Sequence, residues 1–192
     1  MIKRNIYILF GFLLLLSSCI TDFEETTNYP YKVGDIYSEN GVMGIVYKIS
    51  EGGLHGMILS FNEIACEWGD TLLTDANDSI SGMENMKKIQ TQDDWRDKFP
   101  AFAWCDDKNK IGVSGWYLPS KLEMEDILEE RAILNKVFES IGTEVMFGKM
   151  YWTSTEYGKY EAYHGNFLNG EIEYYALKIN KIAIFARAVK SF

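Results

Sequence analysis

The chain has 192 residues, a formal net charge of −9, two histidines and three cysteines. That length suits one domain with a substantial core rather than two. The acidic balance excludes nucleic acid and anionic lipid surfaces as natural partners, because both select for basic patches.

The N-terminus, "MIKRNIYILFGFLLLLSSCITDFEE", places Lys3 and Arg4 ahead of an apolar run from Ile6 to Leu16. The run is too short for a spanning helix, which needs about 20 residues, and has the proportions of a secretory signal peptide. Residues 1–18 are therefore set aside as a signal. Leu16-Ser17-Ser18-Cys19 resembles a bacterial lipobox, which implies lipid on the Cys19 thiol and cleavage just before it. The resemblance puts the protein on the cell envelope, at the outer membrane, with a membrane contact through the lipid. Asp22, Glu24 and Glu25 resemble a signal for export to the cell surface. Losing Lys3 and Arg4 makes the remaining chain two units more negative than the precursor. Residues 19–31 are polar, acidic and punctuated by Pro30, and read as a tether. Residues 32–192 form the domain.

In that oxidising setting Cys66 and Cys105 are an even pair. They are either a disulfide or two buried thiols. They cannot make a zinc site by themselves, since zinc takes about four ligands, and His55 and His164 are the only histidines. No metal and no cofactor is expected.

In chain order, Asp35–Ser38, Gly44–Ile49 and Met57–Phe61 read as short strands parted by Glu39-Asn40-Gly41 and Glu51-Gly52-Gly53, the first two forming a hairpin. A stretch rich in Asp, Asn and Ser follows. Asp75-Ala76-Asn77-Asp78 within it fails the EF-hand template and reads as a solvated loop. A helix is expected over Met83–Ile89 and a shorter turn near Ala101–Cys105. In "GWYLPSKLEMEDIL" Pro119 biases Leu118 to an extended shape. Ser120 with Glu123 then completes a Ser-x-x-Glu capping box. The apolar pattern stumbles at Glu129-Glu130-Arg131, which predicts two helices or one with a break. "MYWTSTEY" reads as a strand, Asn169-Gly170 as a hairpin turn, and "IAIFARAV" as one largely apolar strand. Trp116 and Trp152 are core candidates. The order strands, helices, strands makes the class α+β, with short antiparallel sheets, two or three helices and long loops.

The succession Trp116-Tyr117-Leu118-Pro119-Ser120 with Glu123, Tyr151-Trp152-Thr153-Ser154-Thr155-Glu156, and Arg187-Ala188-Val189 resembles the bacterial DUF1566 and Lcl-type domains, and implies their C-type-lectin-like fold over Val33–Phe192. Leu118-Pro119-Ser120 with Glu123 is also similar to an element of formylglycine-generating enzymes. Their catalytic cysteines near the C-terminus have no counterpart here, since no Cys follows Cys105.

Catalytic constellations are not found. Ser114 lies outside a nucleophile elbow, and nothing pairs His55 or His164 with a serine and a carboxylate. Glu123 with Glu156 could flank a glycosidic bond, but the cap already explains Glu123. The crowding of Tyr157, Tyr160, Tyr163, Phe167, Tyr174 and Tyr175 in one region is the better lead, because tyrosine offers an apolar face and a polar tip. The candidate ligand-binding residues are Glu156, Tyr157, Tyr160, Tyr163, His164 and Asn166. Trp116, Pro119, Ser120, Glu123, Trp152 and Arg187 are structural. Arg187 sits in an apolar strand, so it must be paired, and Glu156 or Glu123 is the expected partner. The function read from the sequence is a non-enzymatic, lipid-anchored envelope or cell-surface binding and adhesion module for a glycan or protein ligand. The alternatives are a structural subunit of a surface appendage, and a hydrolase or degenerate formylglycine-oxidase-like enzyme.

Overall fold

Asn40 and Gly41 both take positive φ, 51° and 75°, the backbone that a tight antiparallel turn requires. They join β1 (Ile36–Glu39) to β2 (Val42–Ser50), and a 3-10 turn at Glu51–Gly53 leads into β3 (His55–Leu59). The computed structural model describes residues 30–181 and 183–192. The signal peptide, Cys19 and nearly all of the tether lie outside the described residues. Tyr31, assigned to the tether, is instead docked on the domain. Its N–H reaches the Gly53 carbonyl at 2.9 Å, and its ring packs on Tyr37 and Phe192.

The chain continues through β4 (Ile64–Ala65), α1 (Gly82–Gln90), α2 (Trp95–Lys98), α3 (Pro100–Asp106), α4 (Lys121–Glu129) and α5 (Arg131–Ser140). It closes with β5 (Met150–Glu156), β6 (Glu161–Asn166), β7 (Glu171–Leu177), β8 (Ile184–Ala186) and β9 (Val189–Ser191). The class is α+β. A four-stranded antiparallel sheet has the order β1-β2-β3-β9, and a five-stranded one the order β4-β8-β5-β6-β7. In the second sheet only β5 and β8 run parallel. Its central strand β5 is buried along nearly its whole length.

The capping box forms as expected. The Ser120 hydroxyl accepts from the Glu123 N–H, and the Glu123 carboxylate accepts from the Ser120 N–H at 2.7 Å. Glu130 separates α4 from α5, where the apolar pattern stumbled. α4 contacts β2 of the first sheet and β5, β6 and β7 of the second. One core joins both sheets and the helices, with Ile45, Ile58, Trp68, Phe102, Leu118, Ile127, Phe138 and Trp152 fully buried, and Trp116 nearly so.

Three expectations are corrected, and one open alternative is decided. "IAIFARAV" is two strands: β8 belongs to the second sheet and β9 to the first, with Arg187-Ala188 at the corner between them. Arg187 pairs with neither Glu156 nor Glu123. Its fully buried guanidinium binds Glu63 and donates to the carbonyls of Ser60, Phe61 and Glu144 at 3.0–3.2 Å. Cys66 and Cys105 are unbridged, buried thiols. Burial pushes the Cys66 thiol up to about 12 and the Cys105 thiol upward too. The turn near Ala101–Cys105 is the helix α3, begun by Pro100 at its first position, where the missing N–H costs nothing. Among the described residues, α2 and β4 had no sequence signal of their own.

Candidate functional site

The tyrosines gather at one end of the second sheet because of an irregularity in β7. Ala162 pairs with Ala176 and His164 with Glu173, so three steps along β7 match two along β6. The extra residue is a β-bulge, which re-aims neighbouring side chains. Tyr174 and Tyr175 are consecutive and both exposed, and they serve opposite faces of the sheet.

On the helix-bearing face, a Cβ at Gly165 would come within 2.8 Å of Met124, so α4 lies directly on β6. Tyr163 shares that face. Tyr157, at the end of β5, lies 4.6 Å from the Tyr174 ring at 35° and 5.4 Å from the Tyr163 ring at 89°. The Lys121 ammonium, at the start of α4, lies 5.4 Å from the Tyr163 ring. This trio of tyrosines is an open aromatic surface. Tyr160, half-exposed, stands apart from it beside Lys159.

On the other face, Tyr175 lies edge-on to His164 at 5.7 Å. His164 Nε2 is 3.0 Å from the Glu173 carboxylate, which also accepts from Asn166 and Asn169. Burial holds the His164 imidazole below its ordinary value despite Glu173. Burial alone would raise Glu173, but hydrogen bonds from Tyr175, Asn169 and Asn166 and the nearby His164 draw it below the usual carboxylate range. A neutral His164 therefore donates from Nε2 to an ionised Glu173. His164 Nδ1 is buried, and the Ala162 backbone, like Glu173, favours the charged ring. His164 and Tyr175 line a concave groove of about 620 Å³ together with Met150, Leu177, Ile179 and Ile184.

Glu156 belongs to neither face's surface. It is buried, its two oxygens accept the Thr74 N–H at 3.1 Å, and Lys178 donates to it at 2.7 Å. Lys178 is itself fully buried, donates to the Leu72 carbonyl at 2.9 Å, and lies 4.5 Å from the Trp68 ring. Glu156 thus pins the 70–78 loop to the sheet. Glu123 is likewise engaged, accepting from Tyr117 at 2.6 Å and Gly82 at 3.1 Å. Of the six candidate ligand residues, the structure brings Tyr157 and Tyr163 together in one surface. It places His164 and Asn166 together on the opposite side, keeps Tyr160 apart, and buries Glu156 in the frame. Tyr174, the third member of the trio, was part of the aromatic crowding in the sequence, but only the bulge singles it out. Among the described residues no group of three or more His, Cys, Asp and Glu side chains could hold a metal, and no helix is long and apolar enough to cross a membrane.

No family model matches the chain, and no curated protein matches it. Among solved structures, a fimbrial protein from Bacteroides ovatus ATCC 8483 is similar, with a TM-score of 0.64 and 16% identity over 84% of this chain. The match takes in 48% of that protein, so the chain spans about half the length of the fimbrial protein it resembles. At that identity the likeness is one of fold.

Proposed function

We propose that this chain is a structural subunit of a bacterial surface appendage, exported by its signal peptide and held at the outer membrane through lipid on Cys19. The observation that carries the reading is the likeness of fold to a fimbrial protein over most of the domain. The lipobox-like Leu16-Ser17-Ser18-Cys19 and the resemblance to secreted DUF1566 and Lcl-type domains support the same location. Glu123 and Glu156, the two carboxylates that could have flanked a glycosidic bond, are committed to the helix cap and to Lys178. That supports a non-enzymatic role.

The test is surface fractionation of the native host. Shearing should release the protein as an assembly far larger than 22.1 kDa, antibodies should label intact cells, and Cys19→Ser should shift the protein from the membrane to the soluble fraction. Recovery as a monomer that is shielded from protease on intact cells would overturn the reading.

A further inference from the structure

The trio of Tyr157, Tyr163 and Tyr174 opens onto a second feature that the appendage reading does not use. α4 presents Lys121, Glu125 and Glu129 four residues apart on one stripe, as helical geometry requires. With Arg131, these side chains face Gly170 and the first residues of β7, Glu171 and Ile172, across a groove of about 500 Å³. Lys121 both lines the groove and approaches the Tyr163 ring, so groove and aromatic surface are continuous. The helix rise from Lys121 to Glu129 makes the groove about 12 Å long. Gly170 lets the Arg131 guanidinium close its far end, where a Cβ would stand 2.8 Å from the guanidinium carbon. Arg131 uses one N–H group on the Leu128 carbonyl, at 2.7 Å, and the guanidinium carries five donors in all.

The composition of the groove selects its ligand. Glu125, Glu129 and Glu171 repel an anion, and Lys121 and Arg131 repel a cation. Of the lining side chains only Leu128 and Ile172 are apolar, too little for the buried anchors of a protein partner. A hydroxyl group both donates and accepts, and so satisfies carboxylates and cationic groups in the same groove. A pyranose ring adds an apolar C–H face that lies flat on an exposed tyrosine.

We propose that the groove between α4 and β7, continued by Tyr157, Tyr163 and Tyr174, binds a neutral oligosaccharide. The sugar rings stack on the tyrosines, and their hydroxyls bond to Lys121, Glu125, Glu129, Arg131 and Glu171. The site is independent of whether the chain is assembled into an appendage, so its failure would leave that reading standing.

The full-length chain is run in native gels containing galactomannan, xyloglucan, mixed-linkage β-glucan or starch, with heparin as the anionic comparison. At least one neutral polymer should slow the protein, with little change on adding salt. For an oligosaccharide of that polymer, Tyr174→Ala or Tyr157→Ala should weaken binding about tenfold, while Tyr160→Ala leaves it unchanged. In the unaltered protein the bound oligosaccharide should protect Lys121 from acetylation and leave Lys159 reactive. That measurement decides the matter if a tyrosine variant fails to melt cooperatively. Retardation by heparin alone, by no neutral polymer, or equally in Tyr174→Ala overturns the proposal.

Discussion

Arg187 shows how much one buried charge organises. Glu63 receives Arg187, the Lys149 ammonium at 2.6 Å and the Tyr151 hydroxyl at 2.5 Å, and the guanidinium lies 4.2 Å from the Phe138 ring. The arginine and the carboxylate are both nearly inaccessible, at 0% and 6% side-chain exposure. Removing Arg187 takes away one of the two cations on a buried carboxylate and the donor to three carbonyls, and removing Glu63 strands the guanidinium away from solvent. Arg187→Ala should therefore cost about 3–5 kcal/mol in denaturant unfolding. Arg187→Lys should recover only part of this, because an ammonium cannot serve the carboxylate and the three carbonyls that the planar fork reaches. The pH dependence follows from Glu63. Its burial opposes ionisation, but Arg187, Lys149 and Tyr151 prevail and hold it below the ordinary carboxylate range. A depressed value means that its stabilisation is complete above the unfolded-chain value and is lost as pH falls through the folded one. Melting curves between about pH 7 and pH 2 should show a smaller acid loss in Glu63→Gln than in the unaltered protein. The variant should already be less stable at neutral pH.

At the scale of elements, the start of α4 does more than cap itself. Ser120 is fully buried and also donates to the Ile80 carbonyl at 2.9 Å, while Glu123 accepts from the first residue of α1, Gly82. The two helix starts share one carboxylate. Ser120→Ala should accordingly exceed the ordinary cap loss of about 1 kcal/mol, because the Ile80 carbonyl also loses its donor. Gly82 is the sharper case. In an isolated helix Gly→Ala gains about 1 kcal/mol, but here a Cβ would lie 2.3 Å from the Leu118 carbonyl oxygen and 2.8 Å from the Ser120 nitrogen. Both are backbone atoms that cannot swing aside, so Gly82→Ala should lower the melting temperature. An unchanged or raised value would show that the two helix starts are not packed this closely.

At the scale of the molecule, the last residues close both sheets. β8 joins β4 to β5, and β9 pairs with β3 while Val189 bridges to Tyr117. Deleting residues 188–192 should abolish cooperative melting, followed by near-ultraviolet circular dichroism, whereas deleting an exposed terminal segment would leave it intact. The interior thiols give an independent reading of the same closure. With burial raising both, and the thiolate being the reactive form, neither Cys66 nor Cys105 should react with a disulfide reagent in the folded protein. Both should react on unfolding.

The α4 cap was legible in the sequence because its hydrogen bonds run between Ser120 and Glu123, three residues apart. The same holds for the Asn40-Gly41 turn and the break at Glu130, whose determinants are local backbone geometry and a short apolar pattern. That Arg187 must be buried and paired was also legible, since an apolar strand leaves a guanidinium little alternative. Its partner was not, because Glu63 lies 124 residues away and only the path of the chain brings it there. The split of "IAIFARAV" between two sheets has the same origin: a run of apolar residues states that a strand is buried, not which neighbours bury it. β4, two residues long, exists only because β8 offers it a ladder. The aromatic crowding announced a surface, but the bulge opposite Tyr163 decided that Tyr174 would join Tyr157 and Tyr175 would turn to His164. Local bonds and periodicity are written in adjacent residues, whereas register, sheet membership and the partners of buried charges are set by contacts that exist only once the chain has closed on itself.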